Sequence, residues 1–371
     1  MNVIDPKLAG EIKKYGTFDF SSCYNCGECT AVCSITGTDA SFPRMFIRYS
    51  MLGLKDEITS SKEIFLCYSC GDCSESCPRQ ASPGDLMAAL RRYSTGQYEP
   101  SGLAALIYKN NIFSVIFTLV LALFLGFFLL TIKPEIPVAR WLFRLIPFQI
   151  IHDLGMIAFI FMGISAFVGL VNMFRKVNRK EKLKFEFKKT QKAIRTALTE
   201  VFTMKRYRTC DEDEFSYWKN KQTILKPWFI HYVNMLGFLG LLLATVLDFI
   251  FKDPATEVWW PTRILGTISG IGMMYGTMIM LYYRIRKVTP SYSQTRLADW
   301  WFLIFLFIAG FTGFWLEISD FLDANNLLNN IVFLVHTIVS MELVILFAYS
   351  KFGHAFYRPL ALFFHSYKNQ K

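Results

Sequence analysis

The sequence predicts an all-α chain in two parts: a small helical domain at the N-terminal end, then a bundle of six membrane-crossing helices. Two observations predict it. Eight of the nine cysteines fall in two short runs before residue 78. Beyond residue 111 the apolar residues gather in stretches of about twenty, enough to cross a bilayer core. The composition agrees: 53% of the residues are hydrophobic, 19% are charged and the mean hydropathy is +0.31.

Cys23, Cys26, Cys29 and Cys33 read C-x2-C-x2-C-x3-C, and Cys67, Cys70, Cys73 and Cys77 repeat the spacing with Pro78 behind them. Three thiolates two residues apart can wrap one face of a cubane, and the fourth ligand must come from elsewhere. This spacing holds [4Fe-4S] clusters, and where two are present the fourth cysteine of each run serves the other cluster. The expected ligand sets are therefore Cys23, Cys26, Cys29 and Cys77 for one cluster, and Cys67, Cys70, Cys73 and Cys33 for the other. Residues 1–100 would form this ferredoxin-like domain. Zinc sites pair two short units and do not need four cysteines in one run. Disulfides need an oxidising compartment, and no signal peptide is expected here. Ser34 stands where a proline would follow the first run, which bears on loop shape rather than ligation. Cys210, isolated beside Asp211-Glu212-Asp213-Glu214, reads as a free cytosolic thiol.

The second part, residues 101–371, divides into spans at about 112–132, 148–174, 228–250, 264–283, 300–317 and 327–350. The net charge of +11 concentrates in residues 175–227, where 16 Lys or Arg face 7 Asp or Glu. A basic connection between spans reads as cytoplasmic. It comes with no base-reading motif, so nucleic acid is not the expected partner. Six spans then place both termini and the cysteine domain on the cytoplasmic side of the inner membrane. Arg284-Ile285-Arg286-Lys287 falls on the same side. Trp228, Trp300 and Trp301 would mark the inner interface, and Trp259 and Trp260 the outer one. Inside the basic loop, Ile194, Ala197, Leu198, Val201 and Phe202 recur at helical spacing. That fits an amphipathic helix on the membrane or under a partner, and equally a plain packing helix. A short polar tail is expected to end the chain.

Four of the five histidines fall within or at the ends of spans, where polar side chains are costly and default to function. His336 and His354 are 18 residues apart on what reads as one continuous helix. That is about five turns, so both rings leave the same face roughly 27 Å apart. The topology puts His152 and His336 towards the outside, and His231 and His354 towards the inside. Two bis-imidazole haem sites follow: His152 with His336, and His231 with His354. Without a C-x-x-C-H motif these haems would be b-type. Each histidine bonding only to a neighbouring helix is the plainer alternative. His365 reads as an ordinary tail residue. Arg175, Lys176, Arg284, Arg286 and Lys287 could pair with propionates or simply obey the charge rule. Glu342, in mid-span, and Asp153, beside His152, are quinone or proton-relay candidates. Gly155, Gly163, Gly266, Gly270, Gly272 and Gly276 thin their helices for a cofactor or for close packing.

With these residues in hand, the cysteine domain resembles the small iron-sulfur subunit of heterodisulfide reductases. The membrane part resembles the cytochrome b subunit of heterodisulfide reductase and the gamma subunit of respiratory nitrate reductase, whose two-haem helix has a similar histidine spacing. The order of the two parts, iron-sulfur domain then cytochrome b domain, is similar to the fused membrane component of the quinone-interacting membrane-bound oxidoreductase. One departure is visible. In the nitrate reductase gamma subunit two histidines stand about ten residues apart on one helix, whereas here Leu241 stands ten residues after His231. The resemblance implies a quinone-linked oxidoreductase subunit, incomplete as a catalyst alone. It implies menaquinol or menaquinone in the membrane and flavin-containing, heterodisulfide reductase A-like subunits in the cytoplasm. It also implies a link to adenylylsulfate reductase in dissimilatory sulfur metabolism. Electrons would pass between quinone, haems, clusters and the soluble partner. A heterodisulfide- or sulfite-linked complex is the alternative within the redox class. A membrane scaffold or transporter with sensory clusters is the alternative outside it.

Overall fold

The computed structural model describes residues 4–37, 41–131, 141–214, 216–251, 260–293 and 295–370. Among these the chain is built of helices, with no strand. Short helices form the cysteine domain: α1 (Leu8–Ile12), α2 (Glu28–Ala31), α3 (Arg44–Met51), α4 (Lys55–Thr59), α5 (Glu63–Leu66) and α6 (Asp72–Glu75). The longer α7 (Pro83–Tyr98) is their spine, followed by α8 (Leu103–Lys109). Pro83 opens α7 at its first turn, where its missing N–H costs nothing. Leu86, Leu90 and Tyr93 on α7 are fully buried against Leu8, Phe46, Ile58 and Ile64 from the surrounding helices. That apolar filling lets so small a domain hold its loops in place.

Among the described residues six helices are long and apolar enough to cross a membrane. They are α9 (Asn111–Thr131), α11 (Phe148–Glu181), α14 (Pro227–Phe251), α15 (Trp260–Arg286), α17 (Leu297–Phe321) and α18 (Leu327–Ile345), with the short α10 (Leu142–Leu145) before α11. Their outward faces carry uncovered apolar side chains, such as Ile116, Leu123 and Phe127 on α9 and Ile157, Ile164 and Phe167 on α11. Water would not tolerate that band on a soluble bundle, and lipid covers it without cost. The protein is multi-pass. Within the bundle α18 is central: α9 and α11 pack on it from one side and α17 from another, and α15 and α14 continue beyond α17. Gly237 and Gly276 set the α14–α15 approach. A Cβ on Gly237 would lie 2.5 Å from Met273 N, and one on Gly276 would lie 2.6 Å from Asn234 Cβ. Gly155 and Gly163, by contrast, have nothing within 4 Å. The glycines that matter therefore serve helix packing.

Four expectations change. The span expected at 148–174 continues as one helix to Glu181, because its C-terminal end is covered by the cysteine domain. Lys180 pairs with Glu57 at 2.7 Å, Glu181 pairs with Lys62, and Asn172 Nδ2 donates to Tyr98 O at 2.8 Å. The span expected at 300–317 is a full 25 residues. His336 and His354 do not share a continuous helix. α18 ends at Ile345, a turn carries Ser350 and Lys351, and His354 opens α19 (His354–Lys368). The break follows from Ser350, which caps the next turn by accepting from Phe352 N, and from Lys351, drawn to Asp299 at 3.1 Å. Finally, the expected polar tail is the helix α19, with Tyr357, Ala361, Leu362 and Phe364 buried.

The basic loop folds into α12 (Phe187–Thr203) and α13 (Lys205–Glu212), with α16 (Pro290–Ser293) lying near α6. α12 packs along α19 through Ala193 and Ala197, while Ile194, Leu198 and Phe202 stay exposed. One side of it is thus a packing helix and the next an uncovered apolar stripe. Trp228 lies against Arg208, and Trp301 packs on Phe305. Trp259 and the side chain of Trp260 lie outside the described residues.

Candidate functional site

The two cysteine runs fold alike. Each reads C-Y-x-C-G-x-C. In each, the glycine takes the left-handed conformation, Gly27 at φ +95° and Gly71 at φ +99°, and starts a one-turn helix, α2 or α6. A side chain at that φ would be strained, so glycine is what lets the loop turn round a cluster. Cys23, Cys26, Cys29 and Cys77 line one small cavity, with Arg44 and Arg79 at its edge. Cys33 and Cys73 lie among the electrostatic neighbours of Cys67. The fourth cysteine of each run is therefore found beside the other run. Burial pushes the Cys29 thiol up to about 11 and Cys33 to about 12, with neighbouring cysteines adding to it. Such thiols surrender their protons to a metal rather than to water. Among the described residues no three His, Cys, Asp or Glu side chains converge on a single-ion site. The cysteine grouping suits a cluster, which spreads its ligands more widely than one ion does.

Cys210 is not isolated. α13 buries it beside Cys70 of the second run, and Ser34 Oγ, just behind the first run, lies 3.4 Å from its sulfur.

The structure brings His231 and His354 together, with ring centroids 5.9 Å apart and planes at 37°. Metal–imidazole bonds of about 2 Å from opposite sides would set two ring centroids about 6 Å apart. His354 Nδ1 donates to Lys351 O at 2.5 Å, which leaves Nε2 as the free ligand atom. Burial, with Arg358 adding to it, holds the His354 pKa well below the usual histidine range, so the ring is neutral, as ligation requires. The pair stands in a cavity of about 510 Å³ whose wall is apolar at Phe159, Met162, Phe238 and Phe347 and cationic at Arg91, Arg92, Arg284, Lys351 and Arg358. Arg284 Nε is buried without a hydrogen-bond partner among the described residues. Arg92 and Lys351 are held by Asp299, which lines the same wall, so Arg284 is the cation left open there. Facing imidazoles, an apolar wall and this cationic edge fit a b haem with its propionates.

His336 and His152 have separate settings. His336 Nδ1 lies 2.9 Å from Thr312 Oγ1, on the α17 side of α18. His152 lies 3.2 Å from Asp153 Oδ1 and near the Phe148 ring, and α11 meets the bundle there through Ile150, Ile151 and Leu154. Asp153 also accepts from Gln149 at 2.9 Å. Glu342 is 3% exposed, and its Oε1 has no hydrogen-bond partner among the described residues. His365 is on α19 and shares a hydrogen bond with Asn369.

Sequence reading missed the connection between the two sites. Tyr68, from the second run, stacks on Tyr207 of α13 at 4.9 Å, and Tyr207 meets His231 at 6.1 Å. Arg358, one turn after His354, lies 4.3 Å over the Tyr68 ring. It donates to Phe65 O at 3.0 Å and to Cys67 O at 2.8 Å, and Arg91 donates to Cys67 O at 2.6 Å. Two signals existed: the tyrosine repeated in both runs, and an arginine four residues after a histidine.

Residues 22–82 match a 4Fe-4S dicluster domain. A heterodisulfide reductase C-like protein of Archaeoglobus profundus is 30% identical over 102 residues, 27% of this chain and 54% of that relative. The chain thus spans about half the length of that curated relative. No solved structure matches. Residues 137–371, more than half of the chain, match the family described as citrate utilization protein B. A membrane subunit with an iron-sulfur domain at its front, the chain belongs to the citrate utilization protein B family.

Proposed function

We propose that this chain is the membrane electron-transfer subunit of an oxidoreductase complex, exchanging electrons between the quinone pool and a soluble flavin-containing partner. The observation that carries the proposal is the unbroken set of contacts from the cysteines of the second run through Tyr68 and Tyr207 to the His231–His354 pair. Bound there, a b haem and two [4Fe-4S] clusters would supply one-electron carriers. The residues do the rest. His231 and His354 would hold the haem, and Lys351 O fixes the His354 tautomer. Arg284 offers charge to propionates. Cys23, Cys26, Cys29 and Cys77 hold the first cluster, and Cys67, Cys70, Cys73 and Cys33 the second. The cysteine domain and both termini face the cytoplasm, on the strength of the basic loop. Residues 1–100 and 101–371 remain the two functional parts, although one apolar core runs through both.

A second haem between His152 and His336 is not part of this proposal, because among the described residues no ring contact joins them as one joins His231 and His354. Glu342 and Asp153 stay as proton candidates for the quinone reaction. The Archaeoglobus relative favours a heterodisulfide reductase-type partner, as in the quinone-interacting complexes of sulfur metabolism. The family description favours a soluble enzyme that oxidises or reduces a polycarboxylic acid. Because the family match covers the larger share of the chain, we take the second as the leading partner class over adenylylsulfate reductase. Either partner asks the same work of this protein.

The test is a reduced-minus-oxidised spectrum of the purified chain, with haem and iron counted per polypeptide. One b haem and about eight non-haem irons are expected, and His354→Ala should lose the haem while keeping the iron. Absence of haem would remove the membrane half of the proposal. Two haems would assign His152 and His336 after all.

A further inference from the structure

Cys210 is separated from both cysteine runs by two membrane spans, yet α13 delivers it to the second cluster's ligands. The placement is firm on both sides. Tyr207, one turn earlier, stacks on Tyr68, and Asp211, next in line, accepts from Trp228 N at 2.8 Å. The Cys210 thiol is 6% exposed, beside Cys70, and 3.4 Å from the Oγ of Ser34, the residue after Cys33. When Cys70 ligates iron it is a thiolate and has no proton to give, so only Cys210 can donate between them. The Ser34 hydroxyl can then donate to the Cys210 sulfur. A proline at position 34 could not, which gives a role to the departure noted in the first run.

We propose that Cys210 is a positioning and tuning residue of the second cluster: its S–H donates to the Cys70 sulfur, with Ser34 holding it in place. Hydrogen bonds to ligand sulfurs are among the factors that set cluster potentials. A donor stabilises the more negative, reduced cluster, so this bond raises the second cluster's potential relative to a site without it. The inference rests on the ligand set Cys33, Cys67, Cys70 and Cys73.

The experiment is a redox titration of the full-length protein in detergent, followed by electron paramagnetic resonance, with iron counted alongside. Cys210→Ala is expected to keep both clusters and shift the second one's midpoint downward, leaving the first unchanged. Cys210→Ser, which keeps a donor, should stay close to the native value. An unchanged midpoint in Cys210→Ala, or loss of cluster iron in both variants, overturns the proposal. If Cys210→Ala does not accumulate, Ser34→Ala carries the test: a smaller downward shift supports the role and an unchanged midpoint overturns it. Cys70→Ala addresses the ligand set separately. A second cluster retained in that variant would defeat the assignment beneath the inference, whereas a native midpoint in Cys210→Ala defeats the donor role alone.

Discussion

Arg358 ties the cysteine domain to the membrane bundle, and its loss has a size that can be worked out. Its guanidinium donates to Phe65 O at 3.0 Å and Cys67 O at 2.8 Å, and it lies 4.3 Å over Tyr68. Hydrogen bonds from a charged donor contribute about 1.5–3 kcal/mol each, and a buried cation–π contact about 1 kcal/mol more. Cys67 O keeps Arg91, so only Phe65 O is orphaned outright. Arg358→Ala should then cost about 4 kcal/mol. Arg358→Lys keeps the charge and one bond but not the fork, and should cost about 2 kcal/mol. For a unit of about 100 residues the unfolding entropy near the midpoint is about 0.2 kcal/mol/K, so each kcal/mol moves the midpoint by about 5 °C. Melting of the cysteine domain, followed by bleaching of cluster absorbance, should fall by about 10 °C in Arg358→Lys and about 20 °C in Arg358→Ala. A lysine variant that melts with the native protein, or with the alanine variant, would refute the role of the fork.

Three further outcomes follow from the same contacts. Burial holds Cys29 at about 11 and Cys33 at about 12, so the empty site is protonated at neutral pH. Cluster uptake must release those protons, and reconstitution with iron and sulfide should strengthen as the pH rises from about 7 to 9. Gly237→Ala drives a Cβ into the α15 backbone and shifts the helix that carries His231, so haem content should fall, while Gly163→Ala, facing open space, should keep it. Burial raises Asp85 to about 7 from 3.8, so the folded state binds its proton more tightly than the unfolded chain does. Its contribution is present at low pH and lost as the pH rises through 7. Asp85→Asn should flatten that part of the stability profile, as read by melting across pH.

The membrane helices and the cysteine runs were legible because their physics is local. An apolar stretch of bilayer length has few alternatives, and a run of four closely spaced cysteines has fewer. The facing of His231 and His354 was also legible, through depth within the spans. The helix joining His336 to His354 was not. Hydropathy carries on past residue 345, and the break depends on Lys351 finding Asp299 across the bundle. Cys210 looked isolated because its neighbours are distant in sequence and α13 alone connects them. The tail looked polar, but α19 buries Tyr357, Ala361 and Phe364 against elements from both parts of the chain. In each case the missing information was a long-range contact, which residue periodicity does not encode.

The repeated C-Y-x-C-G-x-C turn shows how one motif has been put to two uses. In both copies an arginine lies 4.3 Å over the tyrosine. The first copy takes Arg79 from just beyond the second run, leaving Tyr24 70% exposed and Cys26 open to solvent. The second takes Arg358 from α19, and its tyrosine is closed in by Tyr207. The first cysteine site therefore faces outward, where a soluble partner would meet it, and the second faces the histidine pair. This orientation has a kinetic consequence. A chelator or oxidant in solution should strip the first cluster several times faster than the second, because solvent access controls attack on ligand sulfurs. Following the two paramagnetic signals during exposure to a chelator separates them. In Arg358→Ala, where the second site loses its cover, the two rates should converge. If the second cluster were lost first in the native protein, the outward assignment of the first would be wrong.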